Sequence, residues 1–307
     1  MVHYRAIGCF ETSENILLRE TYECRFIELS RNFYCVTASP EDLEQHDRWE
    51  AELMKLMAMP DEPIAIQSFI DMPMRTASKP VRAIDISARI YILKGMQAGR
   101  QIFNDQVVAQ LGILLGAPVA QPFIADVDAM LTSDPDEPQF SYFKPGLAHA
   151  SLFIPACEDD RDIRRYQGQP ENRDRFARLS VLYGWVGAAD RQFIYKKQYP
   201  SHVYSVDHGN FFPQGPEWTI EDLIQAPEAM LDPEITKICN FEEAELQGAI
   251  TALSNLSEHK ILQAIARPPT EWGITIKERV VVVDYLVRRR QELLQSVAGS
   301  ISKGGRT

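Results

Sequence analysis

The sequence predicts an α+β fold with two lobes, and three observations indicate it. Two short apolar strands, "KPVRAIDIS" and "ARIYILKG", follow one another as a hairpin. The next stretch, "IFNDQVVAQLGILLGAPV", repeats apolar residues at helical spacing and stops at Gly116 and Pro118. Beyond residue 140 the chain is a series of helical stretches, ending in a long one from "ITIKERVVVVDYL" onward. A strand-rich part followed by a helical part favours a ligand site between two lobes.

The chain divides into three expected segments. They are an N-terminal extension of unassigned role (1–62), a strand-rich lobe (63–139) and a helical lobe (140–307). In the extension, Ser39 and Pro40 suit the start of an acidic amphipathic helix. The acidic, proline-containing "TSDPDEPQ" marks the boundary between the lobes. In the last helix, we expect the run Arg288–Arg290 to be a solvated patch near the helix C-terminus.

The composition argues against two classes of partner, nucleic acids and membranes. The chain has 307 residues and a formal net charge of −11, which argues against the basic face that nucleic-acid binding needs. No stretch approaches the roughly 18 apolar residues of a membrane span, so no membrane partner is expected. The five cysteines are scattered without a C-x-x-C pair, and the N-terminus lacks a signal-peptide pattern. We therefore expect a cytoplasmic protein with free thiols.

Four charged residues stand where elements begin or end. Lys94 ends the strand "IYILK", and Asp105 lies eleven residues later in the first turns of the following helix. Asp190 lies between a helix and the strand "FIYKK", and Asp207 follows the strand "HVYSV". Each alone is an ordinary surface lysine or turn aspartate. Together, a lysine from one lobe and two aspartates from the other can place a nucleoside triphosphate and Mg²⁺.

Two longer segments carrying these residues resemble a known family. "YILKGMQAGRQIFNDQVVAQLGILLGAPV" is similar to the first lobe of HipA-like kinases, and "GWVGAADRQFIY" with "VYSVDHGNFF" is similar to their catalytic and metal-binding segments. The resemblance covers roughly residues 65–297. It implies a bilobal protein-kinase-like fold, ATP and Mg²⁺ as cofactors, and a hydroxyl acceptor, with serine or threonine of a protein substrate expected.

The resemblance also implies a role for each residue. Lys94 would contact the ATP phosphates, and Asp105, where the family usually has glutamate, would pair with Lys94. Asp190 would be the catalytic base and Asp207 the Mg²⁺ ligand. The phosphate-side turn would contain Gly95 and Gly99.

One position departs from the family pattern. The family usually has a metal-binding asparagine five residues after the catalytic aspartate, and here that position is Tyr195. Gln192 stands where histidine is frequent, and Asn210 is an alternative amide ligand. The departure keeps a second function open, a pseudokinase that binds nucleotide or a partner without transferring phosphate. A small-molecule or lipid kinase is a third.

The remaining candidate residues each have a functional and a structural interpretation. His208 is interpreted as structural, with a catalytic or metal role as the alternative. In "SYFKPGLAHASLF", where the lobes are expected to join, Tyr142 and Phe143 border a nucleotide base, while Lys144 and His149 face the cleft. The alternative is a connecting loop with core aromatics. The sequence has no Walker A, H-E-x-x-H or nucleophile-elbow motif, which excludes P-loop, zincin and α/β-hydrolase interpretations.

Overall fold

A computed structural model describes residues 27–29, 32–34, 40–74, 76–160 and 162–304. The chain forms two compact units, Met1–Glu52 and Leu53–Thr307. The first contains the antiparallel strands β1 (Ile27–Leu29) and β2 (Asn32–Tyr34). The division between the units falls within helix α1 (Pro40–Met57). The predicted cap of this helix, Ser39, lies outside the described residues.

The second unit begins with a closed five-stranded barrel. Its strands pair in the order β3-β4-β5-β7-β6, and the barrel closes through the one parallel pair, β3 with β6. The strands are β3 (Ile64–Phe69), β4 (Val81–Asp85), β5 (Ile90–Lys94), β6 (Pro122–Val127) and β7 (Gly146–Leu152). Closure leaves no unpaired strand edge. Because β7 belongs to the barrel, the strand-rich part extends beyond the predicted boundary at residue 139.

The predicted hairpin is confirmed as β4 and β5, and its inward face carries a charge. Ile84 is only half-buried and Ile86 is 79% exposed, whereas Asp85 is buried. The Asp85 carboxylate accepts the main-chain N–H groups of Ser87 and Arg89, the Arg89 guanidinium and the Tyr91 hydroxyl. Burial acts to raise the pKa of Asp85, but these hydrogen bonds outweigh it and lower the pKa. Asp85 therefore fixes the hairpin turn.

Helix α2 (Gln101–Leu115) follows the hairpin, as predicted, and packs against both the barrel and the helices that come later. Gly116 ends it with a φ of 66°, a left-handed conformation that glycine adopts without strain. Most of the helix is buried, and its consecutive polar residues Asn104, Asp105 and Gln106 face the protein interior.

A three-stranded antiparallel sheet follows the barrel, and helix α3 (Pro170–Val186) lies between its first two strands in sequence. Its order is β10-β9-β8, with β8 at Cys157–Asp159, β9 at Phe193–Lys196 and β10 at Val203–Ser205. The sequence predicts β9 and β10, but not β8. One face is buried and the other is partly exposed. The buried face consists of Phe193, Tyr195, Val203 and Ser205.

The remaining chain is helical. Helix α3 packs against the buried face of the sheet and against α5, α6 and α8. The helices are α3 (Pro170–Val186), α4 (Ile220–Ile224), α5 (Pro233–Cys239), α6 (Glu243–Ser254), α7 (Glu258–Ala266) and α8 (Ile276–Gly304). In the part of the chain that is described, none of the helices combines the length and apolarity needed to cross a membrane.

The arginine run of α8 corrects an expectation. Arg289 is buried rather than solvated, and its guanidinium donates to the carbonyl oxygens of Gly184, Trp185 and Pro227. Arg288 and Arg290 are half-buried and donate to the carbonyl oxygens of Leu223 and Leu256. Long side chains next to helix ends can satisfy free carbonyl groups. The run therefore joins α8 to the loops around it.

Candidate functional site

Lys94 lies at the end of β5 and is only 5% exposed. Its Nζ lies 2.7 Å from Oδ2 of Asp105 on α2 and 2.5 Å from Oδ1 of Asp207, which follows β10. Three elements distant in sequence therefore meet at one ammonium group. Burial acts to lower the pKa of Lys94, but the attraction of both carboxylates outweighs it, so the pKa lies above its ordinary value. The lysine is held in its charged form.

Asp105 is the fully enclosed partner. Its second oxygen, Oδ1, accepts the main-chain N–H of His208 at 2.6 Å, so both carboxylate oxygens have donors. Burial acts to raise the pKa of Asp105, while Lys94, His149 and His208 lower it, and the net shift is downward. An aspartate on α2 thus reaches the lysine directly at 2.7 Å, without the longer side chain of glutamate.

Asp207 is the more open partner, with a side chain that is 26% exposed. Its φ is 58°, a left-handed conformation that is uncommon for residues other than glycine and is found most often for Asp and Asn. Gly209 follows in a tight space, because a Cβ there would lie 3.0 Å from Cβ of Gln101 on α2. The turn at Asp207 therefore brings its carboxylate against α2 and Lys94 while leaving part of it open to solvent.

Asp190 lies in the loop between α3 and β9, and two backbone links join this loop to the chain around Asp207. The main-chain N–H of Val206 donates to the carbonyl of Gln192 at 3.1 Å, and Ala188 forms a β-bridge with Phe211. Asp190 lies between the linked residues Ala188 and Gln192, and Asp207 lies between their partners Val206 and Phe211. The two links place the loop that carries Asp190 next to the segment that carries Asp207, and the role of Asp190 as a base stays a prediction.

Gln192 is a neighbour that the sequence interpretation undervalued. Its Nε2 donates to Oδ2 of half-buried Asp190 at 3.0 Å. Gln192, Ile194 and Val206 are all partly exposed, whereas the residues that alternate with them are buried. Period-two alternation from the start of β9 is the signal that could have put Gln192 on the open face.

Tyr195 lies in the core instead of in the site. It is 0% exposed and its ring stacks on Tyr166, with centroids 3.6 Å apart. Its hydroxyl has no hydrogen-bond partner among the described residues. Strand β9 begins only three residues after Asp190, so the fifth position after the aspartate falls within the strand and on its inner face. Counting five residues onward therefore identified the wrong position for an amide ligand.

The two histidines near the lysine are buried and hydrogen-bonded. His208 Nε2 lies 2.7 Å from Oγ of Ser205, and His149 bridges Gln106 and Ser151 through its two ring nitrogens. Burial lowers the pKa of each histidine to about 4. Both are therefore neutral at pH 7 and support their neighbours, in keeping with the structural interpretation of His208.

The segment expected to join the lobes belongs to the barrel. Phe143 is part of the barrel core, and His149 lies in β7, opposite Lys94. The half-buried Tyr142 donates its hydroxyl to the carbonyl of Lys79. Phe143 thus matches the alternative of core aromatics, but Gly146–Leu152 is a barrel strand and not a connecting loop. The chain instead passes from the barrel to the small sheet at residues 153–156.

Gly95 and Gly99 flank a single 3₁₀ turn, Met96–Ala98, between Lys94 and α2. A Cβ at Gly95 would lie 2.7 Å from the Phe143 ring, so glycine permits close packing there. Gly99 has a φ of 60°. Both glycines adjoin the lysine, and a role at phosphates stays a prediction.

Two cavities among the described residues lie elsewhere. The larger, of about 280 Å³, and its neighbour of about 230 Å³ share Pro60, Asp61, Ala266 and Arg267, and Asp61 pairs with Arg267 at 2.6 Å. Neither contains Lys94 or the aspartates around it. In the described ranges, no group of three or more His, Cys, Asp or Glu side chains is arranged to hold a metal. The Lys94 cluster is thus identified by its charges and not by cavity size.

Comparisons with known proteins give a fold but no sequence family. No family model matches the chain, and no curated protein matches it in sequence. A crystal structure of the Helicobacter pylori proinflammatory kinase CtkA is similar with a TM-score of 0.51 at 11% identity, covering 80% of this chain and 99% of that one. The fold is therefore kinase-like.

Two crystal structures of the Golgi casein kinase are similar at lower scores. One, with Mn/ADP bound, has a TM-score of 0.47 at 11% identity and covers 86% of this chain and 78% of that one. The other has a TM-score of 0.44 at 10% identity and covers 82% and 77%.

Proposed function

We propose that this chain is an ATP-dependent kinase of the HipA-like kind, which transfers the γ-phosphoryl group of ATP to a hydroxyl of a protein serine or threonine. The observation that carries the proposal is the buried ammonium of Lys94, held by Asp105 from α2 and Asp207 from the end of β10. Phosphoryl transfer requires positioned charges rather than covalent chemistry by the protein. The kinase-like fold supports the same conclusion.

The barrel and the helical part would form the two lobes, with ATP between them. Residues 153–156 are the natural junction, since β7 ends in the barrel at Leu152 and β8 begins the second sheet at Cys157. Lys94 and the turn from Gly95 to Gly99 would face the phosphates from the barrel side. Asp190 and Asp207 would face them from the other side.

Charge balance supports a cation in this site. Two carboxylates, Asp105 and Asp207, surround one ammonium, which leaves one negative charge without compensation. Asp207 is the partly exposed carboxylate of the two, so its negative charge is accessible to a ligand. A divalent cation bound here would supply charge neutralisation at the phosphates.

The donor set fits Mg²⁺, which takes oxygen ligands and keeps several waters. Asp207 would hold it through a carboxylate. Gln192, on the open face of β9 and hydrogen-bonded to Asp190, has the amide oxygen that Tyr195 lacks. ATP phosphates and water would complete the coordination. Buried Asp105 would hold Lys94, which contributes a fixed positive charge to the phosphates.

Asp190 would orient the acceptor hydroxyl and accept its proton. It is partly exposed, and the Gln192 amide fixes one of its oxygens at 3.0 Å while the other is left for an acceptor. The next residue, Arg191, turns away to the buried carboxylate of Asp232, with its Nη2 2.5 Å from Oδ2. That ion pair anchors the loop and leaves Asp190 to face the open side.

A pseudokinase is the second candidate, and the short loop favours it. Only two residues, Arg191 and Gln192, separate Asp190 from β9, so the loop has less chain with which to surround a metal and an acceptor. In this candidate, Lys94 and Asp207 would bind a nucleotide or only stabilise the fold.

Turnover of ATP by the purified full-length chain tests the proposal. With Mg²⁺ and a mixture of protein substrates, we expect phosphoryl transfer to fall about 100-fold or more in Asp190→Asn and Asp207→Asn. Asp174→Asn, an exposed carboxylate on α3, is the matched control and should stay within about twofold of the parent.

Three outcomes separate the candidates. Transfer that depends on both aspartates supports the kinase. A thermal shift with ATP but no transfer supports the pseudokinase. Transfer that is unchanged in both variants overturns the assigned site.

A further inference from the structure

Asn104 is fully buried in the first turn of α2, directly before Asp105, and it contacts a single stretch of chain. Its Nδ2 donates to the main-chain carbonyls of Gly209, Phe211 and Gly215 at 2.9, 3.0 and 3.3 Å. Its Oδ1 accepts the indole N–H of Trp218 at 3.0 Å. One side chain thus bonds four residues of segment 207–218, and both ends of its amide are satisfied.

Neighbours of Asn104 on α2 hold the two ends of the same segment. Asp105 accepts the N–H of His208 near the start, and Arg100 donates to the carbonyl of Trp218 at the end while stacking on its ring. Between these ends, Phe211 and Phe212 are buried. The segment that begins with Asp207 is therefore attached to the helix that carries the partner of Lys94.

We propose that Asn104 is a positioning residue, which holds segment 207–218 against α2 so that Asp207 stays within reach of Lys94. Asn104 touches neither Lys94 nor Asp207 and acts through the main chain between them. This rests on the proposed function for its effect on catalysis, but its effect on the segment does not depend on that function. The fold itself then fixes the positions of the Asp105 and Asp207 carboxylates relative to each other.

The composition of the segment agrees with a fixed arrangement. Segment 207–218 reads "DHGNFFPQGPEW" and contains no serine, threonine or tyrosine. Phosphorylation of a hydroxyl within the segment is therefore not available to order it. Asn104 supplies the ordering contacts from the neighbouring helix instead.

The chain offers a matched control in Asn172, a second fully buried asparagine near the start of α3. It also makes four hydrogen bonds, but to a different part of the chain. Its partners are Tyr166, Gln169, Ser201 and Val203. Replacing either asparagine with alanine removes the same atoms from the interior, and only one replacement releases segment 207–218.

Hydrogen exchange and steady-state kinetics on the full chain test the inference. In Asn104→Ala, we expect amide exchange in residues 208–218 to rise at least about tenfold, and kcat to fall about 10- to 100-fold with a smaller change in the KM for ATP. In Asn172→Ala, faster exchange should appear near residues 201–203, with kcat within about twofold of the parent. Trp218→Phe removes the indole N–H together with part of a buried ring, but it leaves the three carbonyl bonds of Asn104 in place, so it should produce a smaller rise in exchange at residues 208–218.

The outcomes distinguish this inference from the proposed function. If the parent chain transfers no phosphate, the kinase assignment fails, and the exchange rates alone decide the positioning role. Equal exchange of residues 208–218 in the Asn104 and Asn172 variants overturns the inference, as does an equal loss of kcat. If Asn104→Ala does not fold, unchanged exchange in Trp218→Phe overturns it and faster exchange confined to residues 208–218 supports it.

Discussion

Two regions of the described part of the chain bury positive charge, and they do so with different partners. At the candidate site, Lys94 is held by the carboxylates of Asp105 and Asp207. In the helical part, the fully buried guanidinium of Arg279 donates to main-chain carbonyls, and Arg289 does the same nearby. In the first region, a lysine ammonium pairs with two carboxylates. In the second region, arginine guanidinium groups bind main-chain carbonyl groups at or near helix ends.

The difference separates a binding region from a scaffold. The carbonyl acceptors around Arg279 have their donor in its guanidinium, which is buried and not open to a ligand. The Lys94 cluster contains one more negative charge than positive, and Asp207 remains partly exposed. Burial lowers the pKa of Arg279 to about 10 against the opposing charge of Glu278, while the two carboxylates raise the pKa of Lys94. A surplus of charge that reaches solvent is what a cation or a phosphate–metal complex requires.

The largest expected effect is on the scaffold. Arg279→Met should lower the free energy of unfolding by about 3–5 kcal/mol, because the buried carbonyls of Ile265, Ile274, Pro268 and Pro269 lose their donors. Urea unfolding at pH 7 measures it. Arg164→Met, an exposed arginine, is the control and should change stability by less than about 0.5 kcal/mol. A loss as small as that of the control would contradict the scaffold role.

Acid should weaken the site region and not the arginine region. His208 has a folded pKa of about 4 against an ordinary value of 6.5, so between these values the unfolded chain binds a proton that the folded chain does not. Stability should therefore fall as pH drops from 6.5 toward 4. From pH 7 to 5 the loss is about 2 kcal/mol for this histidine.

Comparing pH dependences isolates that contribution. His208→Asn should remove about 2 kcal/mol of the difference between pH 7 and pH 5 in urea unfolding. Arg279→Met, which is unfolded at lower urea throughout, should keep the parent difference because arginine stays charged in this range. An unaltered pH dependence in His208→Asn would show that its folded pKa is not depressed.

Removing the lysine should release the surplus charge. In Lys94→Met, Asp207 loses the ammonium 2.5 Å away, and we expect the affinity for Mn²⁺ alone to rise about tenfold while the affinity for ATP falls. Titration by electron paramagnetic resonance measures free Mn²⁺ directly. Lys196→Met, at a half-buried lysine bonded to a main-chain carbonyl, is the control and should bind Mn²⁺ like the parent. Weaker Mn²⁺ binding in Lys94→Met would argue against a cation at Asp207.

The smallest effect is expected at Tyr195. Tyr195→Phe removes a buried hydroxyl that has no partner among the described residues, so stability should stay equal or rise by up to about 1 kcal/mol. Mn²⁺ affinity should not change, since the ring stacks on Tyr166 in the core. Thermal unfolding and the same Mn²⁺ titration check both. A loss of Mn²⁺ affinity would show that Tyr195 contributes to the cation site.

Local patterns in the sequence predicted the hairpin, helix α2 and the long last helix, because each depends on periodicity and on turn residues. The pairing of Lys94 with Asp105 was also predicted, whereas the direct contact of Lys94 with Asp207 was not. The roles of Lys94, Asp190 and Asp207 as phosphate, base and metal residues stay predictions.

The rest depended on information that no local pattern contains. The barrel requires long-range pairing, of β3 with β6 and of β7 with β5. The position of Tyr195 depended on where β9 begins, and a shift of one residue reverses the face of a strand. The burial of Arg289 depended on carbonyl groups from α3 and from a loop, whose side chains give no sign of it.

The carbonyl partners of Arg279 and Arg289 have a consequence for sequence divergence. A guanidinium that binds backbone oxygen places no demand on which side chain its partner carries, so the residues around it are free to change over evolution. Only the arginine itself, and the path of the chain, must be kept. A scaffold built in this way can preserve its shape through extensive substitution.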